Sequence, residues 1–236
     1  MVKRYIPVSR MEGTASRQAH CDLPQGTYER EMSKEGFFGP AAFFHHRHPP
    51  TGWTDFTGPL QPHAFDLTKL PVSGGSPWSA AQLLTNWHCQ IRYWRLASSM
   101  PRLARNADGD DLLFIHAGTG DLYCDFGHLA LEAGDYVVLP RGTMWRIDCA
   151  AAIEVLMIEA TSSSYMLPDK GLVGNHAIFD PAMLDAPKID AEFVAQQSDT
   201  ARWEVEVKRR NALSLIAYPF NPLDGVGWHG ELSVVR

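Results

Sequence analysis

The chain has 236 residues, 45% of them apolar and 20% charged, with a formal net charge of −6. That is the composition of a globular protein able to bury a core of its own. Like charges never run in blocks of five, which excludes an extended nucleic-acid face or a polybasic membrane patch. In chain order, the opening MVKRYIPVSRMEG lacks the apolar core of a secretory leader, and no later stretch approaches the roughly 18 apolar residues of a membrane-crossing helix. Cys21, Cys89, Cys124 and Cys149 form no CxxC pair, so a zinc ribbon or redox dithiol is not expected. A cytoplasmic setting with free thiols is the expectation.

The first hundred residues are rich in proline and aromatics (Phe37, Phe38, Phe43, Phe44, Trp53, Phe56, Trp78, Trp87). They predict β-structure with long loops packed on a barrel. His88–Leu96 is a run of β-formers with Ile91 and Tyr93 on one face. The turn cluster Asn106–Asp111 follows, then Leu112–His116, closed by Gly118 and Gly120. Asp121–Phe126 reads as its hairpin partner. His128–Leu131, Tyr136–Leu139, Met144–Asp148 and Ile153–Ala160 continue the series, with turns at Gly134-Asp135 and Pro140-Arg-Gly142. Short strands at even spacing predict an all-β sandwich or barrel.

From Thr161 to about Ala201 the chain reads as a connection, punctuated by Pro168, Gly171, Gly174, Pro181 and Pro187, with Pro181–Ala186 as its best helical candidate. Beyond it, Trp203, Val205 and Val207 alternate with Glu204, Glu206 and Lys208, a period of two. Ala212–Tyr218 pairs back across Arg210-Asn211. The last residues, Glu231–Arg236, are strand-like and lead to no polar tail, which predicts an incomplete sequence.

The segment Gly134-Asp-Tyr-Val-Val-Leu-Pro140-Arg-Gly142-Thr-Met-Trp145 fits G-x5-P-x-G-x2-H, the second cupin motif, except at its last position. Gly134 makes the turn into a strand. Pro140 and Gly142 reverse the chain, where only glycine takes a positive φ cheaply. The following strand points alternate residues inward, and the inward histidine of a metal-binding barrel is replaced by Trp145. An indole nitrogen donates only and cannot ligate a metal. The first cupin motif is degraded as well. Met100–Arg105 holds no H-x-H pair, and Asp110 or Asp111 stands near the glutamate position. One carboxylate without histidines is a poor transition-metal site. The expectation is a metal-free barrel with Trp145 and Ile147 filling the metal's place.

Arg105-Asn-Ala-Asp-Gly-Asp110, Gly134-Asp-Tyr followed by Leu-Pro-Arg-Gly142-Thr, Phe220-Asn-Pro-Leu-Asp224-Gly-Val-Gly-Trp-His-Gly230 and Phe43-Phe-His-His-Arg-His48-Pro-Pro together resemble the homogentisate 1,2-dioxygenase family. The resemblance spans essentially the whole chain, in family order. It implies a bicupin whose first barrel is metal-free and whose second binds Fe(II) through two histidines and a glutamate. It implies cleavage of a catechol-like aromatic ring in tyrosine catabolism, and trimeric or hexameric assembly. The family's H-x5-E segment and later histidines have no counterpart here, so the 2-His-1-carboxylate set is carried onto no residue of this chain.

Several residues invite a sharper reading. His45, His46 and His48 are a tempting metal cluster, but no glutamate follows at ligand spacing and Pro49-Pro50 ends any strand. Structural packing or a subunit contact is the expectation. His229 is a candidate for an active-site wall, set against a structural role. His116 reads as a satisfied core histidine. Asp108, Asp110 and Asp111 read as a solvated turn rather than a calcium loop. Glu154 and Glu159 are an odd number apart and face opposite sides of a strand.

The architecture predicted is an all-β cupin, a double-stranded β-helix or jelly roll of the RmlC-like type, forming the first barrel of a bicupin. Residues 1–85 are its N-terminal β-rich extension, 86–160 the barrel, 161–200 the connection and 201–236 the first strands of an incomplete second cupin. No catalytic, cofactor or metal residue is assigned within the chain. Three functions compete: the N-terminal part of an Fe(II) ring-cleaving dioxygenase, inactive alone; a stand-alone metal-free cupin for binding or assembly; and a catalyst using His45, His46, His48 and His229. The first is favoured.

Overall fold

The structure is a computed structural model and describes residues 6, 8, 10–35, 38–59, 61, 63–161, 163–166 and 180–236. Phe37, Pro168, Gly171 and Gly174, singled out in the sequence, lie outside these. The chain divides into two compact units, Met1–Phe65 with Pro168–Phe179, and Asp66–Leu167 with Asp180–Arg236.

In the first unit, β1 (Tyr28–Glu35) and β2 (Phe38–His46) form an antiparallel hairpin in which Tyr28 faces His46, with an irregularity between Ser33 and Glu35. In the second unit, eleven strands form two sheets. Their ranges are β3 (Ala81–Thr85), β4 (Cys89–Leu96), β5 (Leu103–Asn106), β6 (Asp110–Ala117), β7 (Gly120–Cys124), β8 (Gly127–Leu131), β9 (Tyr136–Leu139), β10 (Met144–Asp148), β11 (Ile153–Ala160), β12 (Trp203–Arg209) and β13 (Ala212–Tyr218). One sheet runs β3-β4-β11-β6-β9 and the other β13-β12-β5-β10-β7-β8. This is the interleaved strand order of a jelly roll: apart from the hairpins β3-β4, β7-β8 and β12-β13, successive strands alternate between the sheets, and each inner face carries every second residue.

β11 shows the pattern most clearly. Ile153, Val155, Met157 and Glu159 are buried, and the residues between them are half-buried. The opposing inner faces supply Trp94, Leu96, Leu113, Ile115, Leu122, Cys124, Leu129, Val137, Trp145 and Ile147 to one contiguous core. On β4 the core face is Gln90, Arg92, Trp94 and Leu96; Ile91 and Tyr93 face the other way, where Tyr93 donates its hydroxyl to Glu154 at 2.6 Å. A smaller cluster on the outer face of the second sheet gathers Leu103, Tyr123, Met144, Phe193, Val205 and Leu223.

Several local expectations change. β7 is not the hairpin partner of β6: the two lie in different sheets, and β7 pairs with β8 and β10. Asp110 and Asp111 are not in a solvated turn. They begin β6 and are 6% and 1% exposed, although the expected Asx bond from the Asp108 amide to Asn106 Oδ1 is present at 2.9 Å. Near Pro181 there is one 3-10 turn, Pro181–Met183; the helix is α1 (Ala191–Ala195), whose N-terminal cap is Asp190. The final residues form no strand, only an isolated bridge of Val235 to Val138 beside a fully buried Val234.

β12 joins β5 in parallel, Val205 opposite Leu103 and Lys208 opposite Asn106. Its turn to β13 has positive φ at Arg210 (51°) and Asn211 (58°), the backbone of a type I′ hairpin, which ordinarily asks for Asn or Gly. Here Asp108 accepts both amides, that of Asn211 at 3.0 Å. Gly109 shows how tightly this end is built, because a Cβ there would lie 1.8 Å from the Ala160 carbonyl oxygen. Gly109→Ala is expected to cost about 3 kcal/mol through forced backbone movement. Gly134→Ala, at φ +101° with open space around it, is expected to cost about 1 kcal/mol. Urea midpoints of the two variants give the comparison.

Candidate functional site in the barrel interior

Along the strands the interior changes character. Register places Ile153 opposite Leu96, Val155 opposite Trp94, Met157 opposite Arg92 and Glu159 opposite Gln90, while β6 sets Ile115, Leu113 and Asp111 beside Val155, Met157 and Glu159. One end is therefore apolar and the other polar. At the apolar end Trp94 and Trp145 meet edge to face, centroids 6.2 Å apart, both essentially unexposed.

The second-motif turn that delivers Trp145 is built as the sequence predicts. Gly134 and Gly142 have φ of +101° and +91°. The Gly142 amide donates to Asn106 O at 2.7 Å and the Thr143 amide to Pro140 O at 3.1 Å. β10 then turns Trp145 and Ile147 inward and Met144 and Arg146 outward.

The polar end is a closed network. Lys208 Nζ, reaching in from β12, lies 2.6 Å from Glu159 Oε1 and 2.8 Å from Asp108 Oδ2. Arg92 Nη1 holds Glu159 Oε2 at 3.1 Å, and its Nη2 donates to Gln90 Oε1. Gln90 Nε2 donates to Asn211 Oδ1 at 2.9 Å, and Asn106 Nδ2 to Asp111 Oδ1 at 2.9 Å. Glu159 is wholly buried; Arg92, Asn106, Asp111 and Lys208 are nearly so. Burial pushes the Asp111 carboxyl well above the usual carboxylate range, with the Asn106 bond pulling the other way. Burial also acts on Asp108, but the amides of Asn211 and Arg210 and the Lys208 ammonium hold its carboxyl below that range. Two cations thus balance the Glu159 and Asp108 carboxylates, while Asp111 is held by the Asn106 amide.

This donor set does not fit iron. The interior positions of β5 are Ala104 and Asn106, the carboxyl of β6 is bound to Asn106, and the last motif position is an indole. Among the described residues, no group of three or more His, Cys, Asp or Glu side chains is placed to hold a metal.

The other candidates fall as follows. His45 Nε2 contacts the Ser16 amide and hydroxyl at 3.1 and 3.2 Å, and His46 Nε2 accepts from Arg30 Nε at 3.3 Å. They are neighbours on β2, so their rings leave opposite faces; His48 is exposed beyond the strand. His229 is exposed on the loop after β13, next to Trp228, whose Nε1 donates to Phe126 O at 2.8 Å. His116 is exposed beside Phe114, not in the core, because it falls on the outward register of β6. Glu154 and Glu159 do face opposite sides: Glu154 pairs outward with Arg95 at 3.1 Å. Sequence reasoning missed Arg92, Gln90 and Lys208 as interior residues. The signal was Glu159 itself, a charge at the inward phase of Ile153-x-Val155-x-Met157, which requires a buried cation.

The two-sheet jelly roll, with a Gly…Pro-x-Gly turn leading an inward strand, defines an all-β cupin. A sequence model described as homogentisate 1,2-dioxygenase N-terminal matches residues 73–235. The chain belongs to that family. It is 22% identical over 219 residues to a protein of Saccharolobus solfataricus named as a dioxygenase, covering 86% of this chain and 56% of that one. It is 29% identical over 127 residues to the homogentisate 1,2-dioxygenase of Nitrobacter hamburgensis (53% and 27%) and 25% identical over 186 residues to that of Caenorhabditis elegans (76% and 39%). The matches thus span between about a quarter and just over half of these relatives' length. A cupin protein from Bacteroides fragilis superposes with a TM-score of 0.34 at 17% identity, covering 44% of this chain and 92% of that one. No helix among the described residues is long and apolar enough to cross a membrane.

Proposed function

We propose that this chain is the N-terminal part of a homogentisate 1,2-dioxygenase-like enzyme, an Fe(II)-dependent cleaver of aromatic rings in tyrosine and phenylalanine catabolism. Its own barrel is a metal-free scaffold. The iron and the substrate ring belong to a second cupin outside these 236 residues, which 201–236 leads into, and His229 lies toward that site's wall. The complete protein works as a cytoplasmic homo-oligomer, a trimer or hexamer. The observation that carries this reading is the family match over 73–235 combined with an interior in which Ala104, Asn106, Asp111 and Trp145 stand at the motif positions.

The test is oxygen uptake with homogentisate and Fe(II) by the purified 236-residue protein, alongside iron analysis after desalting. No ring cleavage and no stoichiometric iron are expected. Iron-dependent turnover by this chain alone overturns the reading and returns catalysis to His45, His46, His48 and His229. A second reading, a stand-alone metal-free cupin used for binding or assembly, is favoured by β13, an end strand with Leu213, Leu215 and Ile216 exposed. A reading frame that stops after Arg236 in a sound natural transcript would select it.

A further inference from the structure

His128 lies on β8, the end strand of the six-stranded sheet, with a carboxylate against each ring nitrogen. Nε2 is 2.8 Å from Asp121 Oδ1 on β7, and Nδ1 is 2.9 Å from Asp190 Oδ2 at the head of α1. An ionised carboxylate only accepts, and a neutral imidazole has a single N–H. Both bonds therefore require the imidazolium. Asp190 has a second task, since its Oδ1 accepts the Phe193 amide at 2.9 Å, and Phe193 is fully buried in the outer core. The same segment runs along the sheet edge: the His128 amide donates to Lys188 O and the Lys188 amide to His128 O, each at 2.9 Å. Gly127, at φ +128°, gives it room, because a Cβ there would sit 2.4 Å from Lys188 O.

The charged surroundings leave His128 as the shared cation. Tyr123 stacks on the imidazole at 5.1 Å, and the Arg146 guanidinium lies 4.6 Å from the Tyr123 ring. Arg146 is committed to Asp148 at 2.8 Å and to Gln196, and Asp148 faces Asp121 across β10 and β7. Glu192 on α1 adds negative charge near Tyr123, and the Lys188 side chain is exposed. Among the described residues, the ion pairs of Asp121 and Asp190 both run to His128.

We propose that His128 is a pH-sensitive latch: as the imidazolium it fastens residues 188–193 to the edge of β8, and on losing its proton it releases Asp190 and loosens that segment. Asp190 is the carboxylate released, because the ladder pairing of Asp121 with Ala130 holds Asp121 in place, whereas Asp190 is held by the two-bond bridge and its cap. Burial would lower the pKa of this ring, but the bonds to Asp190 and Asp121 outweigh it and hold it above the usual histidine value. A raised folded-state pKa stabilises fully below the unfolded value, about 6.5, and the contribution disappears as pH climbs through the raised one. The latch is closed on the acid side and opens on the alkaline side.

The experiment follows the His128 ring by NMR while measuring amide exchange at His128 and Lys188, corrected for the intrinsic rise of exchange with pH. Protection of this pair is expected to fall at least tenfold across the His128 titration, with the β4–β11 ladder unchanged. Asp190→Asn keeps a good helix cap but removes one carboxylate. It is expected to move both the His128 titration and the loss of protection to lower pH together. Protection that ignores the His128 titration in the natural sequence overturns the proposal, as does an Asp190→Asn variant in which neither midpoint moves. The wild-type measurement stands by itself if that variant does not fold.

Discussion

Lys208→Met is expected to lower the stability of the protein by about 3 kcal/mol, read as a fall in the urea midpoint. Methionine fills the space of the lysine stem but removes the ammonium that sits 2.6 Å from Glu159 and 2.8 Å from Asp108. Breaking a buried pair by removing one partner costs roughly 3–5 kcal/mol, because the remaining charge stays buried without compensation. The lower end applies, since Arg92 continues to hold Glu159 at 3.1 Å. The deficit is expected to persist in 0.5 M salt, as screening reaches buried pairs poorly. A deficit that vanishes in salt would show that Lys208 is solvated and that the network is not closed.

Trp145→Ala is expected to cost about 3–5 kcal/mol, the range for deleting a large buried aromatic side chain whose neighbours relax only in part. The edge-to-face partner Trp94 loses its contact at the same time. Trp145→His is the more informative change. It supplies the imidazole that the second motif lacks, yet Ala104 and Asn106 remain and Asp111 stays bound to Asn106. No stoichiometric Fe(II) or Zn(II) is expected in that variant by metal analysis after dialysis. Full occupancy would show that Trp145 alone keeps metal out of this barrel.

Much of this was legible in the residues. Tyr136–Leu139, Met144–Asp148, Ile153–Ala160 and Ala212–Tyr218 were bounded correctly because Gly, Pro and Asn-containing turns flank short runs of β-formers. The second motif was legible for the same reason, since its glycines have the positive φ that only a turn requires. The polar end of the interior was not. Gln90, Arg92 and Lys208 look like outward residues on alternating strands, and only the cross-strand register, set by tertiary pairing, turns them inward. Asp110 and Asp111 misled in the opposite sense, because turn-forming composition conceals burial when neutral donors brought by the fold satisfy the carboxyls: the Arg141 and Tyr165 amides at Asp110 and the Asn106 side chain at Asp111. The connection hid its helix because α1 is only five residues long, held by its cap and one buried phenylalanine rather than by a periodic face.

The parallel join of β12 to β5 ties Lys208 to residues 100 positions earlier at Asp108 and 49 earlier at Glu159. At 5–20 residues per second, a ribosome delivers that lysine roughly 2–10 s after the glutamate has been made. Through that interval the nascent barrel has Arg92 but not its second internal cation, so its closing ion pair is the product of late, long-range chain closure, the slowest kind of contact for a β-protein to form.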